Sequence, residues 1–466
     1  MEKSAGLLPV VATIETTDRA EARLEDITRS HISETRGGVQ SRLTGRRILN
    51  RTSVSFFLMG LLVGLPAMPI TTAASAMFGE ITGVYGICFS LAAAVSAFAG
   101  PMLARYIPYD VSTIVLTLAS ALAYIICTLP HPLALGHGGN ETGPVIGTLL
   151  AGFVYAFGSQ IYLSVAAFFP NVAIVALSTG SGLSIILGSG IFIALMDRAF
   201  DDNWRKCFLV IAPTSLLIPV VWWCLFDTTG RQAAEHSRRR SLQKSHPNWG
   251  TNSSPSFNIE KHIIDPLKDK NYEMVEAIKP GFGAQRSRTG LLLKTILPRY
   301  ILPLIICTTC AILCLFGLAP ALQTLHRFPD APPGDLEFEL LFFAYGSAQF
   351  IFSALVAVKR VPVIWIWTGI EVALTTIVLL QIWYPFLQHF WGLWAIMFLV
   401  GGCVGGSVTN TNHKINKDFK EAGEPDEVRS FANSYAGLGN FGGDAIGGAI
   451  GLVIQLVVVK NLQSTP

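Results

Sequence analysis

Charge is what this sequence has least of. Only 14% of its 466 residues are Asp, Glu, Lys or Arg, where a soluble domain carries roughly a quarter. The few charges gather at 1–52, 227–290 and 414–429 and leave long apolar stretches between them. A formal net charge of +3 gives no basic surplus for nucleic acid. Walker-type phosphate loops, HExxH and GxSxG are all missing, so neither an ATP-driven pump nor a membrane hydrolase is indicated and no enzymatic activity is expected. The N-terminal stretch MEKSAGLLPVVATIETTDRAEARLEDITRS is mixed in charge and lacks the apolar core of a cleavable signal. The eight cysteines fall within or at the edge of apolar segments, where thiols behave as small hydrophobes. Cys307 and Cys310 form a CxxC with no second pair, and a structural zinc site needs four ligands. No metal or cofactor is expected.

What is present is hydrophobic sequence: 51% of residues, with a mean hydropathy of +0.48. A helix needs about 20 apolar residues to cross a bilayer. Eleven stretches qualify: 53–78, 81–103, 110–129, 143–168, 171–196, 206–226, 295–320, 338–358, 361–384, 388–411 and 428–459. The expected fold is an all-α polytopic membrane protein of the major-facilitator type. It has a six-helix bundle at 53–226 and a five-helix bundle at 295–459, with tails at 1–52 and 460–466. A basic linker at 227–294 joins the bundles, and its SRRRSLQK and PNWGTNSSPS segments read as a mobile chain.

Loop charges set the orientation. Arg46, Arg47 and Arg51 precede the first helix, and eleven Lys/Arg lie in 228–290 after the sixth. Lys414, Lys417, Lys420 and Arg429 follow the tenth. All fall on one side, the cytosol, which makes Asn140-Glu-Thr on the opposite side a glycosylation acceptor. The halves also echo each other. The fourth and tenth helices carry Gly152/Gly158 and Gly401/Gly402/Gly405/Gly406, and STGSGLSIILGSG (178–190) matches AGLGNFGGDAIGGAIG (436–451). Small residues allow close helix packing, and a gap at the same place in each half points to a parallel repeat with substrate bound between halves.

Ionisable groups inside the membrane are functional candidates. Glu371 falls near the middle of the ninth helix and Asp444 near the middle of the eleventh. Either is a candidate proton-coupling site, or a structural hydrogen-bonding group. Glu339 and Arg299 fall at helix ends, where snorkelling accounts for them. The polar candidates for a substrate cavity are Tyr155, Ser159, Gln160 and Ser164 on the fourth helix, with Asn410, Thr411 and His413 on the tenth. Asn410, His413 and Lys414 share a helix face, which is either a substrate surface or a solvated helix end.

AFGSQIYLSVAAFFPNVAIVALSTGSGLSIILGSG (156–190) resembles the battenin (Batten disease protein) family's SSGLGE-x3-LS-x-TAFYP followed by a helix starting SSGTG. GPMLARYIPYDV (100–111), RYILPLIIC (299–307), GGSVTNTNHKI (405–415) and RSFANS (429–434) resemble further elements of that family, in order and across the whole membrane portion. The resemblance implies a major-facilitator-like transporter in lysosomal or vacuolar membranes, in a family associated with glycerophosphodiester efflux, lumenal pH and basic amino-acid balance. Several family positions differ: the Glu after SSGLG is Ser159 here, YFAEY-x-x-NQG becomes TTCAILCLFG (308–317), and the Arg-containing stretch of the eighth helix becomes QFIFSAL (349–355). LMGLLVGLPAMPITTA (58–73) also resembles the equilibrative nucleoside transporters, whose FN-x-x-D-x-x-GR is missing. The expected partners are a small polar solute, protons and membrane lipid. A non-transporting scaffold that recruits cytosolic proteins through 1–52 and 227–290 is the competing reading.

Overall fold

A computed structural model describes residues 51–464 apart from 79–81, 130–141, 202, 246–291, 327, 334–335, 360, 362 and 425. Residues 53–466 cluster as one compact unit. Asn140 and most of the expected tail and linker lie outside the described residues.

The described residues are helical throughout, with no strand among them. Eleven helices are long and apolar enough to span a membrane: α1 (Arg51–Thr72), α2 (Gly83–Ala104), α3 (Tyr109–Thr128), α4 (Thr142–Ala166), α5 (Val172–Arg198), α6 (Trp204–Leu225), α7 (Lys294–Leu325), α8 (Leu336–Val356), α9 (Trp365–Trp383), α10 (Phe390–Glu421) and α11 (Val428–Val458). The face holding the first residues of α1 is termed inner and the other outer. Successive helices alternate in direction, so α4, α8 and α10 end on the inner face.

Two boundaries depart from the sequence reading for physical reasons. The tenth helix does not stop at 411 but continues to Glu421, because its polar run is buried rather than solvated. Asn410, Asn412 and His413 are each at most 3% exposed. The first residues after the sixth span are not loose linker but a helix, Thr228–Ser245. Glu235 bonds to Arg238 and Arg239 one turn on, at 2.5 and 3.2 Å, the i,i+3 and i,i+4 spacing that supports a helix. Arg238 also donates to the Tyr106 carbonyl at 3.2 Å, which ties this helix to the inner end of α2.

Prolines bend α1 where neighbours can repair it. Pro69 has no N–H to offer the Leu65 carbonyl, and the Tyr124 hydroxyl of α3 donates to that oxygen at 3.3 Å. In a bilayer such a carbonyl has no water to turn to.

Glycines set how closely the bundles interlock. A Cβ on Gly180 of α5 would strike the Phe57 carbonyl of α1, and one on Gly182 would lie 2.8 Å from the Phe350 Cα of α8. In α11, a Cβ on Gly443 would strike Thr308 of α7, and one on Gly448 would lie 3.0 Å from the Gly86 carbonyl of α2. Each fifth helix of a half therefore packs on its own half's first helix and the other half's second. That is the relation expected of two halves related by a pseudo-twofold axis. The α2–α11 and α5–α8 contacts are the long seams between the halves.

Candidate functional site

Along the pseudo-axis, between the seams, lie two chambers. The inner one, about 670 Å³, is lined from the first half by Tyr155, Ser159, Tyr162 and Ser181, and from the second by Gln349, Ser353, Thr409, Asn412 and Asn440. The outer one, about 510 Å³, is lined by Thr71, Tyr85, Phe89, Phe316, Tyr345 and Asp444 among others. The two share Tyr155, Gln349 and Asn440 as a common wall. These three residues fall near the middle of α4, α8 and α11. The Tyr155 ring stands edge-on to Phe441 at 5.4 Å, and its hydroxyl lies 3.0 Å from the Ser181 Oγ.

The inner chamber is uncharged among its described lining residues; it presents hydroxyls and amides. The outer chamber adds one carboxylate, Asp444, among aromatic rings.

Hydrogen bonds join the halves toward each end. At the inner end the Ser164 and Ser430 hydroxyls lie 2.6 Å apart, joining α4 to α11. Asn416 of α10 donates to Asn171, which precedes α5, at 2.6 Å. At the outer end the Gln455 carboxamide of α11 accepts from the Gly83 N–H at 2.8 Å and donates to the Thr82 hydroxyl at 3.1 Å.

The candidates read from the sequence divide accordingly. Tyr155 and Ser159 line the inner chamber, and Asp444 lines the outer one. Ser164 belongs to the inner seal. Gln160 is buried against Gly100 of α2 and Gly437 of α11. Asn410 donates to the Val361 carbonyl at 2.7 Å and so fastens the chain between α8 and α9. Thr411 and His413 are buried off the chambers. On α10 the chamber instead receives Thr409 and Asn412, because the continuing helix turns that face inward.

Glu371 is fully buried, lines neither chamber, and has the Cys307, Cys314 and Cys403 thiols of α7 and α10 as electrostatic neighbours. Glu339 is 5% exposed, so it does not snorkel. Arg299 instead bonds to Asp418 at 3.1 Å, and Asp418 also accepts from the Tyr300 hydroxyl at 2.6 Å.

Gln349, Ser353, Tyr345 and Asn440 escaped the sequence reading. The signal was there: Tyr345, Gln349 and Ser353 recur every fourth residue on α8, and Asn440 precedes Asp444 by four on α11, each a single polar stripe on an apolar helix.

Halves of six and five helices, a central path and seams at α2–α11 and α5–α8 define a major-facilitator fold. The solved structure of a proton:xylose symporter bound to 6-bromo-6-deoxy-D-glucose superposes with a TM-score of 0.53 at 12% identity, covering 89% of this chain and 96% of that one. The chain belongs to the CLN3 protein family, whose model matches residues 54–461. It is similar to Protein BTN1 of Yarrowia lipolytica, 23% identical over 407 residues spanning 86% of this chain and 93% of that protein. It is also similar to Protein BTN1 of Eremothecium gossypii, 22% identical over 340 residues spanning 69% and 76%. Family membership decides between the two resemblances noted in the sequence, against the nucleoside transporters.

Proposed function

We propose that this chain is a secondary transporter of a small polar organic solute across a lysosomal or vacuolar membrane. The observation that carries the reading is the common wall. Two chambers on one axis, one toward each face, meet at Tyr155, Gln349 and Asn440. Separate hydrogen bonds join the halves toward their outer and inner ends, and we read them as the two gates. Alternating access needs such an arrangement, with a central site and two gates that need not open together. Rocking 53–226 against 295–459 would break one seal while the other holds. The location rests on family membership, as does the family's association with glycerophosphodiesters, lumenal pH and basic amino acids.

We assign proton coupling to Asp444 rather than Glu371, because of the two only Asp444 borders the path. The titratable groups facing it from other helices are the phenols of Tyr85, Tyr155 and Tyr345 on α2, α4 and α8. The α1, α5 and α7 walls add none among the described lining residues.

The test is metabolite profiling of organelles purified with and without this chain, followed by uptake of the accumulated solute into proteoliposomes holding the pure protein. Saturable uptake that Gln349→Ala and Asn440→Ala both reduce supports the reading. Accumulation with no uptake by the pure protein removes it.

A further inference from the structure

The outer chamber combines features that a polar-solute cavity does not require. Six aromatic side chains, Tyr85, Phe89, Tyr155, Phe316, Phe342 and Tyr345, border it, and they come from α2, α4, α7 and α8. Four of the rings are linked, with Tyr85 5.5 Å from Phe89 and 5.4 Å from Phe316, and Phe89 6.1 Å from Tyr155; Phe342 and Tyr345, 6.2 Å apart, form a second pair. The Tyr85 hydroxyl is held by Thr71 of α1, which fixes that ring. Into this shell projects one carboxylate, Asp444, with Tyr155 and Tyr345 as its electrostatic neighbours. Among the described lining residues of both chambers there is no Lys, Arg or His.

A lone carboxylate away from water is costly until a positive charge or a proton joins it. Ring faces attract cations, and most strongly quaternary and alkylated ammonium groups whose own hydration is weak. Anions meet the opposite situation, since a phosphate here would face a carboxylate and no cation.

We infer that the outer chamber is a binding site for an organic ammonium group, with Asp444 as counter-ion and the aromatic shell as its cage. The carboxamides of Gln349 and Asn440 and the Tyr155 hydroxyl at the common wall then take the polar remainder of the solute. This inference names the substrate class within the transport reading above and rests on it for its purpose, though not for its geometry. It also separates this chain from a phosphodiester cargo that carries no ammonium group.

The test is equilibrium binding of radiolabelled choline to the purified full chain in detergent, with glycerophosphoglycerol, a phosphodiester without an ammonium, as competitor. The expected result is saturable choline binding that Asp444→Asn weakens by about tenfold or more, that Asp444→Glu retains, and that the phosphodiester fails to displace. Tyr345→Leu should weaken binding and Tyr345→Phe should not, because the phenylalanine keeps the ring. This pair carries the test if Asp444→Asn does not fold. Absence of saturable choline binding overturns the inference. So does binding indifferent to both Asp444→Asn and Tyr345→Leu, or displacement by the phosphodiester. Choline counterflow in proteoliposomes separates the two readings: binding without counterflow of any solute removes transport and leaves the site, whereas counterflow of another solute without choline binding removes the site and leaves transport.

Discussion

The Ser164 hydroxyl of α4 lies 2.6 Å from the Ser430 hydroxyl of α11, a direct bond between the two halves at their inner ends. Two side chains this close, on helices that belong to different rocking bodies, can be made into a covalent lock. The double replacement Ser164→Cys with Ser430→Cys should form a disulfide on mild oxidation and stop solute flux, and reduction should restore it. Either single variant should transport normally under both conditions. Flux unaffected by a proven cross-link would mean that the inner seal does not open during the cycle.

The outer seal predicts the converse. Gln455 joins α11 to α2 through two hydrogen bonds, to the Gly83 N–H and the Thr82 hydroxyl. Neutral hydrogen bonds contribute about 1 kcal/mol each, so Gln455→Leu should shift the balance of open and closed outer ends by roughly ten- to thirtyfold. A cysteine placed at Ser90 in the outer chamber reports it. Labelling by a membrane-impermeant thiol reagent should quicken in the Gln455→Leu background and stay slow with Gln455 intact.

Hydropathy located every one of the eleven spans, because burial in lipid and burial in protein demand the same apolar composition. It could not say which side of a helix meets the path. Asn410 and Asn412 are equally polar and both 2% exposed, yet one fastens the chain at Val361 and the other faces the inner chamber. Only the packing of α10 against α8, through Gly401 and Gly405 on the Tyr345 and Gln349 carbonyls, fixes that rotation. The repeat, by contrast, was legible, because close helix approach is written directly in glycine. The helical start of the linker was hidden by a composition typical of disordered chain, since its stability comes from Glu235 and from contacts with the inner face.

The glycines at the seam make a packing prediction. A Cβ on Gly182 would lie 2.8 Å from the backbone of Phe350, so a larger side chain must push α5 from α8. Overpacking of this kind costs about 1–3 kcal/mol. Gly182→Val should lower the thermal unfolding midpoint and reduce flux together. Gly369→Ala, which meets no atom within 4 Å, should leave both unchanged.

The linker helix predicts a pH dependence. Partial burial pushes the Glu235 carboxyl up, but bonds from Arg238 and Arg239 outweigh it and leave its pKa below the ordinary glutamate value. A carboxyl depressed in the folded state stabilises above its unfolded pKa of about 4.3 and loses that contribution as pH falls through the folded value. Glu235→Gln should therefore speed hydrogen exchange across 228–245 at pH 7. The difference from the unsubstituted protein should close as pH drops below about 4. A difference that persists there would mean the helix is held by its contacts with α2 and not by this carboxylate.

The two membrane carboxylates should behave oppositely when neutralised. Glu371 is 0% exposed, and the Cys403 thiol is the polar neighbour of its carboxyl. A buried carboxylate carries a larger desolvation cost than an uncharged amide of similar volume. Glu371→Gln should leave flux and its pH profile unchanged, with a thermal midpoint equal to or above the starting value. Asp444 borders the path, so Asp444→Asn should flatten the pH profile of solute flux while the thermal midpoint stays near its starting value. If Glu371→Gln flattens the profile and Asp444→Asn does not, the coupling role belongs to the α7–α9–α10 interior.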